Sequence, residues 1–235
     1  MLLAAGRGER MRPLTDSCPK PLLVVRGKPL LQWHLEALQR GGCQHVAVNT
    51  DWLAEQIVLA AHPSGLTMHY SHEGRDFGGA LETAGGIARA LPLLDEVFWV
   101  LAADVYTPGF EFSQQALDRF AATEKLAHLW LVPNPAHNPG GDFGLAAGAN
   151  GPALALNLAK DDSRPRYTFS TIGLYRRALF EPPWCDIPAG NPLGIKAPLA
   201  PLLRRAMDHQ LVSAELYGGP WTDVGTPQRL AELNA

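Results

Sequence analysis

The first half of the chain alternates short apolar runs with segments of helical periodicity, and this alternation restricts the fold more than any other feature. The runs HVAVNT (residues 45–50), TMHYS (67–71) and VFWVLAAD (97–104) have the length and content of strands. Strands that alternate with helices are joined by right-handed crossovers, which build a mostly parallel sheet with helices on both faces. The sequence therefore predicts an α/β, Rossmann-like fold.

Boundary signals give the approximate limits of the elements. A proline opens the segment PLLQWHLEALQR, and two glycines close it, as expected of a helix. Strands are also predicted at Leu2–Ala5 and over HLWLV. The predicted helices cover residues 29–40, 52–61, 83–91, 113–123 and 197–210, with a closing helix from Pro227.

The second half of the sequence has a different rhythm. Short apolar runs with glycine turns predict strands at 142–148, 153–159 and 167–175, followed by one at 211–217. Such runs favour a small antiparallel lobe laid on the parallel sheet. Since no linker separates the halves, we expect a single domain, 1–235, with two lobes that meet near residue 135.

Composition excludes several classes of partner. The 235 residues carry a net charge of −3, so no general basic field attracts nucleic acid. No apolar stretch approaches the length of a membrane span, about 20 residues. Three widely spaced cysteines are typical of reduced thiols in a cytoplasmic protein. We expect no nucleic acid and no membrane as partners.

The opening stretch LLAAGRGERMRPLTDSCPKPLL combines close glycines with basic residues. Met11 occupies the third glycine position of a dinucleotide fingerprint, and no GxxxxGK[ST] sequence is present. Gly6 and Gly8 allow backbone amides to approach phosphate oxygens, and Arg12 and Lys20 supply positive charge. The alternative is a surface turn with solvated basic residues, but the whole pattern favours a phosphate-binding loop.

Polar residues follow several predicted strands, where ligands gather in open α/β sheets. Asp104 ends the run VFWVLAAD, Asn49 lies near the end of HVAVNT, and Asp223 lies in GPWTDVGTPQRL. A carboxylate at such a strand end can hold Mg²⁺ beside bound phosphates. Each of these residues can instead be a turn former or a helix cap.

Several ordered motifs resemble those of the sugar-1-phosphate nucleotidyltransferases: LAAGRGERMRPLT, PKPLL, ETAGG (82–86) and WTDVGTP (221–227). The resemblance covers nearly the whole chain. It implies UTP and a sugar 1-phosphate as substrates, a nucleotide-binding lobe over about 1–135, and a sugar-phosphate lobe with the closing helix over about 136–235.

The resemblance also implies roles for individual residues. Arg12, Lys20, Asp104 and Asp223 are expected to be catalytic, with Mg²⁺ on Asp104 and Asp223. Asp142, Thr168 and Ser170 are expected to contact the sugar or its phosphate. The nucleotide is expected to contact Leu3, Ala4, Ala5, Gly6, Gly8, Lys20, Asn49, Glu82, Thr83 and Gly85.

The sequence departs from the family pattern at three places. Ala84 replaces a glycine of the ETGGG string, Ala102 and Ala103 precede Asp104 where Asn or Gly is usual, and Thr171 replaces the glycine of a more frequent Ser-Gly pair. If position 84 requires positive φ, alanine costs on the order of 1 kcal/mol there.

The segments LVPNPAHNPGGDFGL, RYTFSTIGLYRRALF and KAPLAPLLRRAM resemble those of N-acetylmuramate 1-phosphate uridylyltransferases. This implies that UTP and N-acetyl-α-muramate 1-phosphate give UDP-N-acetylmuramate and pyrophosphate, in peptidoglycan recycling. Mannose or glucose 1-phosphate with GTP, UTP or dTTP is the alternative, and a non-catalytic nucleotide-sugar sensor is a second. We expect a monomer or a weak homodimer.

Overall fold

A computed structural model describes residues 1–61, 65–147 and 151–235. Gly148, the last residue of the predicted strand 142–148, lies outside the described residues. The helices are α1 Leu30–Arg40, α2 Ala54–Ala60, α3 Glu73–Phe77, α4 Glu82–Ala90, α5 Gln114–Ala121, α6 Leu199–Asp208 and α7 Pro227–Asn234. No helix in the described part of the chain is both long and apolar enough to cross a membrane.

The strands are short, apart from the eleventh. They are β1 Leu2–Leu3, β2 Val24–Val25, β3 Lys28–Pro29, β4 His45–Thr50, β5 Thr67–His72, β6 Val97–Ala102, β7 Val105–Tyr106, β8 Ala127–Val132, β9 Phe143–Ala146, β10 Leu154–Leu156, β11 Arg166–Arg176, β12 Val212–Leu216 and β13 Thr222–Asp223.

Nine of these strands form one sheet, in the order β5-β4-β1-β6-β11-β8-β12-β10-β9. The part from β5 to β6 is parallel. From β6 onward the neighbours are antiparallel, apart from the parallel pair β8–β12. The antiparallel strands thus continue the parallel part as one sheet, where the sequence predicts a lobe laid on it.

Helices cover both faces of the sheet, as the sequence predicts. Along β6, Phe98 and Val100 pack in a cluster with α4 and α6, whereas Trp99 and Leu101 pack in a cluster with α1, α2 and α5. Because successive side chains of a strand point to opposite faces, the two clusters lie on opposite sides. This explains why VFWVLA is apolar throughout.

The longest strand, β11, is interrupted by an irregularity. Phe169 pairs with Leu131 of β8, but the next partners are Gly173 and Leu129, so β11 contains two extra residues. Thr171 lies in this interruption with φ of 69°. Before it, Arg166 and Tyr167 pair with β9. A bulge bends its strand, and here it separates the part of β11 that pairs with β9 from the part that pairs with β6.

Most predicted elements are present, and the differences are local. Predicted strand Leu2–Ala5 is only two residues long, because Ala4 and Ala5 already belong to the loop that follows β1. The segment EGRDFGG (73–79), whose three glycines are typical of a loop, begins with helix α3. The hairpin β2–β3 was not predicted.

Candidate active site

A cavity of about 240 Å³ lies at the carboxyl ends of β1, β4 and β6. Open α/β sheets bind their ligands at this edge. Eight of the ten residues expected to contact the nucleotide line the cavity, and the expected metal ligand Asp104 lines it as well. The eight are Leu3, Ala4, Ala5, Gly6, Lys20, Asn49, Glu82 and Thr83.

The opening loop places its two glycines differently. The space that a Cβ atom at Gly6 would occupy is open, so a ligand can approach the backbone there. Gly8 has φ of 68°, and a Cβ atom there would lie 3.1 Å from Thr15 Cγ2 and 3.3 Å from Lys20 Cβ. Gly8 lines an adjoining cleft together with Lys20 and Asp104. The loop therefore requires glycine at position 8 for its own geometry.

Lys20 and Asp104 form an ion pair that lines both the first cavity and the adjoining cleft. Lys20 opens a short 3-10 turn after Pro19 and is only 8% exposed, and its Nζ contacts the Asp104 carboxylate. Asp104 lies in the turn between β6 and β7. The pair brings a cation and an anion to the place where the phosphates of a nucleotide are expected.

Arg12 lies outside these cavities. Its side chain is 54% exposed, and its Nε lies 3.2 Å from Asp16 Oδ1. Arg10 lines the cleft instead. A catalytic role of Arg12 stays a prediction, and Arg10 is a basic residue of the cleft that sequence reasoning missed.

Strand pairing brings Asp223 beside Asp104. Asp223 of β13 pairs with Val105 of β7, and the Val224 N–H donates to the Asp104 carbonyl oxygen at 2.8 Å. The Asp223 carboxylate contacts Arg229 and lies 2.8 Å from His137 Nε2. Two acidic residues that are distant in the sequence are thus brought together, Asp223 on β13 and Asp104 just before β7.

The donor chemistry of these two residues fits Mg²⁺, which prefers carboxylate, phosphate and water oxygens. Both carboxylates are partly exposed: Asp104 pairs with Lys20, and Asp223 pairs with Arg229 and contacts His137. In the described ranges 1–61, 65–147 and 151–235, no group of three or more His, Cys, Asp or Glu side chains is placed to hold a metal.

A second cavity, of about 550 Å³, adjoins the first, because Leu3, Glu82, Thr83 and Ala102 line both. Apolar side chains form most of its wall, and several of them come from β9, β11 and α6. The charged groups in it are Glu82, Asp142 and Arg204. The Arg204 guanidinium donates to Asn157 Oδ1 at 2.7 Å and lies 5.2 Å from the centre of the Phe143 ring.

Of the three residues expected to contact the sugar phosphate, Asp142 lines the second cavity, where Oδ2 accepts a hydrogen bond from Phe169 N–H at 2.8 Å. Thr168 and Ser170 are buried and bonded within the protein. The Thr168 hydroxyl donates to Asn134 Oδ1 at 3.0 Å, and the Ser170 hydroxyl donates to Trp130 O at 2.7 Å. Their predicted ligand contacts stay predictions.

The start of α4 shows what Ala84 and Gly85 do. Positive φ falls on Glu82, at 58°, and Ala84 is an ordinary helical residue, so alanine is not strained there. Gly85 donates its N–H to Ala197 O at 3.1 Å, and a Cβ atom would collide with the Ile195 carbonyl oxygen. Gly85 therefore allows close packing of α4, and it does not line the cavity.

Sequence reasoning missed Glu73, a fully buried carboxylate in the wall of the first cavity. Burial raises the pKa of Glu73, and hydrogen bonds from Leu81 N–H and Asn49 oppose that rise. The available signal was its position directly after β5, the same rule that identified Asn49 and Asp104. Arg204 was also missed, although it lies within the quoted segment KAPLAPLLRRAM.

Comparison with known proteins places this geometry in context. The chain is 44% identical, over its whole length and 96% of the relative, to the N-acetylmuramate alpha-1-phosphate uridylyltransferase of Neisseria meningitidis serogroup B. It is 36% identical to the UTP–glucose-1-phosphate uridylyltransferase of a Synechocystis strain, over 44% of this chain and 30% of that protein.

A solved structure shows the same fold at low identity. The UDP-glucose pyrophosphorylase of Acinetobacter baumanii superposes with a TM-score of 0.73 at 15% identity, covering 99% of this chain and 90% of the other. The sequence model of the family described as Nucleotidyl transferase matches residues 1–235. The chain therefore belongs to the nucleotidyl transferase family, which confirms the family expected from its motifs.

Proposed function

We propose that the protein transfers a uridylyl group from UTP to N-acetyl-α-muramate 1-phosphate, releasing pyrophosphate and forming UDP-N-acetylmuramate, in peptidoglycan recycling. The observation that carries the proposal is the pair of adjoining cavities, one at the phosphate-binding loop and one with a cationic side chain in an apolar wall. The name of the full-length relative supports the same reaction.

The reaction requires positioning and charge neutralisation, and it needs no protein nucleophile. An oxygen of the sugar phosphate attacks the α-phosphorus of UTP, and the bond from that phosphorus to the oxygen bridging to the β-phosphate breaks. Lys20 is placed to neutralise charge on the phosphates, and the backbone at Gly6 is open to their oxygens. Glu82 and Thr83 face both cavities, where the nucleoside and the acceptor meet.

We also propose that Mg²⁺ acts as the cofactor, held by Asp104 and Asp223. When bound, the ion neutralises charge on the reacting phosphates. Both carboxylates would exchange their present cationic partners for the ion, so Lys20 and Arg229 would become free to contact phosphate oxygens.

Arg204 supplies a reason for the choice of acceptor. N-acetylmuramate differs from N-acetylglucosamine by a lactyl ether that ends in a carboxylate. A guanidinium in a largely apolar pocket pairs strongly with such a group. We propose that Arg204 selects acceptors that bear this carboxylate.

A substrate panel tests the reaction. UTP, GTP and dTTP are each combined with N-acetylmuramate, N-acetylglucosamine, glucose and mannose 1-phosphates, and pyrophosphate release is measured with Mg²⁺. We expect the highest kcat/KM for UTP with N-acetylmuramate 1-phosphate. A preference for mannose or glucose 1-phosphate would overturn the proposed acceptor, and nucleotide binding without turnover on any pair would indicate a sensor.

The variant Arg204→Leu tests acceptor selection. We expect kcat/KM for N-acetylmuramate 1-phosphate to fall by about thirtyfold, the loss of a charge-assisted contact of roughly 2 kcal/mol. The value for N-acetylglucosamine 1-phosphate should remain within about threefold. Arg205→Leu is the matched control, because Arg205 is exposed and its guanidinium lies over the Trp184 ring, outside the cavity. Equal losses with both acceptors would contradict the role of Arg204.

We propose a cytoplasmic location and a monomer or weak homodimer, with no nucleic acid and no membrane as partners. The location is supported by three free cysteines, Cys18, Cys43 and Cys185, as expected of a reducing compartment. Sedimentation of the purified protein at several concentrations tests the oligomeric state.

A further inference from the structure

The two walls of the first cavity are joined by a chain of buried hydrogen bonds. Asn49 Oδ1 accepts from Ala4 N–H at 2.7 Å, and Asn49 Nδ2 donates to Glu73 Oε1 at 2.8 Å. Glu73 Oε2 accepts from Leu81 N–H at 2.8 Å. We call Asn49 and Glu73 the strut. It connects the backbone of the phosphate-binding loop with the backbone just before Glu82.

The fold leaves room for this strut at one helical position. A Cβ atom at Gly86 would lie 2.6 Å from Glu73 Oε1 and 3.0 Å from Asn49 Nδ2. The first distance is too short for a carbon atom against an oxygen, and the second is a tight contact. Gly86 therefore leaves space for the side chains of Glu73 and Asn49, whereas Gly85 leaves space for the backbone of residues 195–197.

The strut ends beside a strained residue. Glu82 has φ of 58°, a conformation that costs a residue other than glycine about 1 kcal/mol. Leu81, its neighbour, is held on both sides: its N–H donates to Glu73, and its carbonyl oxygen accepts from Ala197 N–H at 3.1 Å. Strained residues that are fixed by their surroundings cluster at ligand sites, and Glu82 lines both cavities.

The donors that stabilise the Glu73 carboxylate are neutral: an amide side chain and a backbone N–H. A buried carboxylate without a contacting cation is costly to maintain. Such a group is better explained by the geometry it imposes than by the stability it adds. Its two oxygens accept from opposite walls, which a neutral side chain with a single acceptor oxygen cannot do.

We propose that Glu73 is a positioning residue for the nucleotide, acting through Asn49 and Leu81 to hold the Leu3–Gly6 segment and the Glu82–Thr83 segment at a fixed separation. The inference rests on the proposed nucleotide-binding function of this cavity. The strut sets the width of the slot that receives the nucleoside and its phosphates, so its loss lowers nucleotide affinity before it affects the acceptor.

The variant Glu73→Gln tests the strut with almost no change of shape. Its NH₂ group must face either Asn49 Nδ2 or Leu81 N–H, and both are donors. We expect the dissociation constant for UTP with Mg²⁺, measured by calorimetry without acceptor, to rise about tenfold, the effect of one net hydrogen bond. KM for the sugar 1-phosphate and kcat should change by less than about threefold. Unchanged UTP affinity in a folded Glu73→Gln protein would overturn the proposal.

A swap of the two polar groups distinguishes positioning from nonspecific damage. Asn49→Asp alone places two carboxylates in contact and should weaken UTP binding. In the double variant Asn49→Asp with Glu73→Gln, the carboxylate introduced at position 49 accepts from Ala4 N–H and from the glutamine amide, whose oxygen accepts from Leu81 N–H. Every donor then has an acceptor again, and we expect UTP affinity within about threefold of the wild type.

The double variant also keeps the test decisive if the single variants do not fold. If the double variant folds but its dissociation constant for UTP is about tenfold or more above that of the wild type, the proposed role of the strut is overturned. Glu215→Gln is the control, since Glu215 is a partly exposed carboxylate on β12 that accepts from Trp130 and does not line the cavities. An equal loss of UTP affinity in Glu215→Gln would also overturn the proposal.

The wild-type measurement separates this inference from the proposed function. If the wild-type protein binds GTP or dTTP and not UTP, the proposed donor is wrong, and the strut is tested with the nucleotide that binds. If the wild type binds none of the three, both proposals fail.

Discussion

Thr171 combines two features that are unusual for a threonine. Its φ of 69° lies in the left-handed region, where β-branched residues are rare, and its Oγ1 is buried with no hydrogen-bond partner among the residues that the structure describes. The resemblance to the family implies a glycine at this position. Glycine adopts positive φ without strain, so it would suit the interruption of β11 better than threonine does.

Thr171→Gly should therefore stabilise the protein. Relief of the backbone strain and of the unpaired hydroxyl outweighs the entropy of a glycine, and we expect the free energy of unfolding to rise by about 1 kcal/mol. Urea denaturation measures the change. Thr67→Gly is the control, because Thr67 lies in β5 without positive φ, and its replacement should destabilise. A less stable Thr171→Gly protein would contradict the assignment of strain.

Asp104 also belongs to the residue scale. Asp104→Asn keeps the shape of the side chain but removes the charge that faces Lys20 and the proposed Mg²⁺. We expect kcat to fall at least about a hundredfold, with little change in thermal stability. Asp118→Ala, on the exposed side of α5, should leave kcat unchanged. Wild-type turnover in Asp104→Asn at saturating Mg²⁺ would show that the proposed metal ligand is wrong.

Among the elements, α4 is positioned by close approach to the chain at residues 195–197. Ala84 and Gly85 donate to Ala197 O, and Ala197 N–H donates to Leu81 O. These contacts join a helix that begins at the first cavity to the segment that leads into α6, which lines the second. These hydrogen bonds fix the start of α4, which lines both cavities through Glu82 and Thr83.

Gly85→Ala tests this contact. Its Cβ atom would collide with the Ile195 carbonyl oxygen, and that backbone must shift. We expect a loss of about 1–3 kcal/mol in the free energy of unfolding, measured by urea denaturation. At Gly140 the space for a Cβ atom is open, so Gly140→Ala should change stability by less than about 0.5 kcal/mol. Similar stability of Gly85→Ala and wild type would show that the packing is loose.

The helices and strands differ in how well the sequence predicts them. Strand and helix periodicity predicts β4, β5, β6 and α1 closely, because these elements bury regular apolar faces. It misses α3, whose five residues include a glycine and are too few for a periodic pattern. Position near a strand end is enough to identify Asp104 and Asn49 as candidate site residues. The contacts of Asp223 with Arg229 and His137 are not predicted, because they depend on how separate segments pack together.

On the scale of the whole molecule, the predicted fold class is confirmed, and both cavities lie along one sheet. The site prediction is uneven for a physical reason. The local sequence of a backbone motif such as the opening loop determines its conformation, so its residues lie at the cavity as expected. Arg12, Thr168 and Ser170 have polar side chains, and local partners satisfy them in ways that a motif does not specify.

The buried His34 should make the stability of the whole molecule depend on pH below about 6.5. Burial lowers the pKa of His34 to about 4, against weaker opposing effects of the Val105 backbone and Asp104, and its Nε2 has no hydrogen-bond partner in the described part of the chain. The unfolded chain, with a histidine pKa near 6.5, binds a proton that the folded protein does not. The free energy of unfolding should therefore fall, by on the order of 3 kcal/mol, as the pH falls from about 6.5 to 4.

His34→Asn keeps a donor near the position of Nδ1 and removes the titration. We expect its stability to depend less on pH than that of the wild type between pH 6.5 and 4, as measured by urea denaturation at a series of pH values. His209→Asn, at the exposed end of α6, serves as the control. Parallel pH profiles for His34→Asn and wild type would contradict the role of His34.

The border between the two cavities is narrow: four residues belong to both, whereas α6 contributes only to the second. Under the proposed function, α6 would therefore contact the acceptor and not the nucleotide. An engineer who wished to redirect the protein to a new sugar could vary the inward positions of α6 and leave the nucleotide half as it stands.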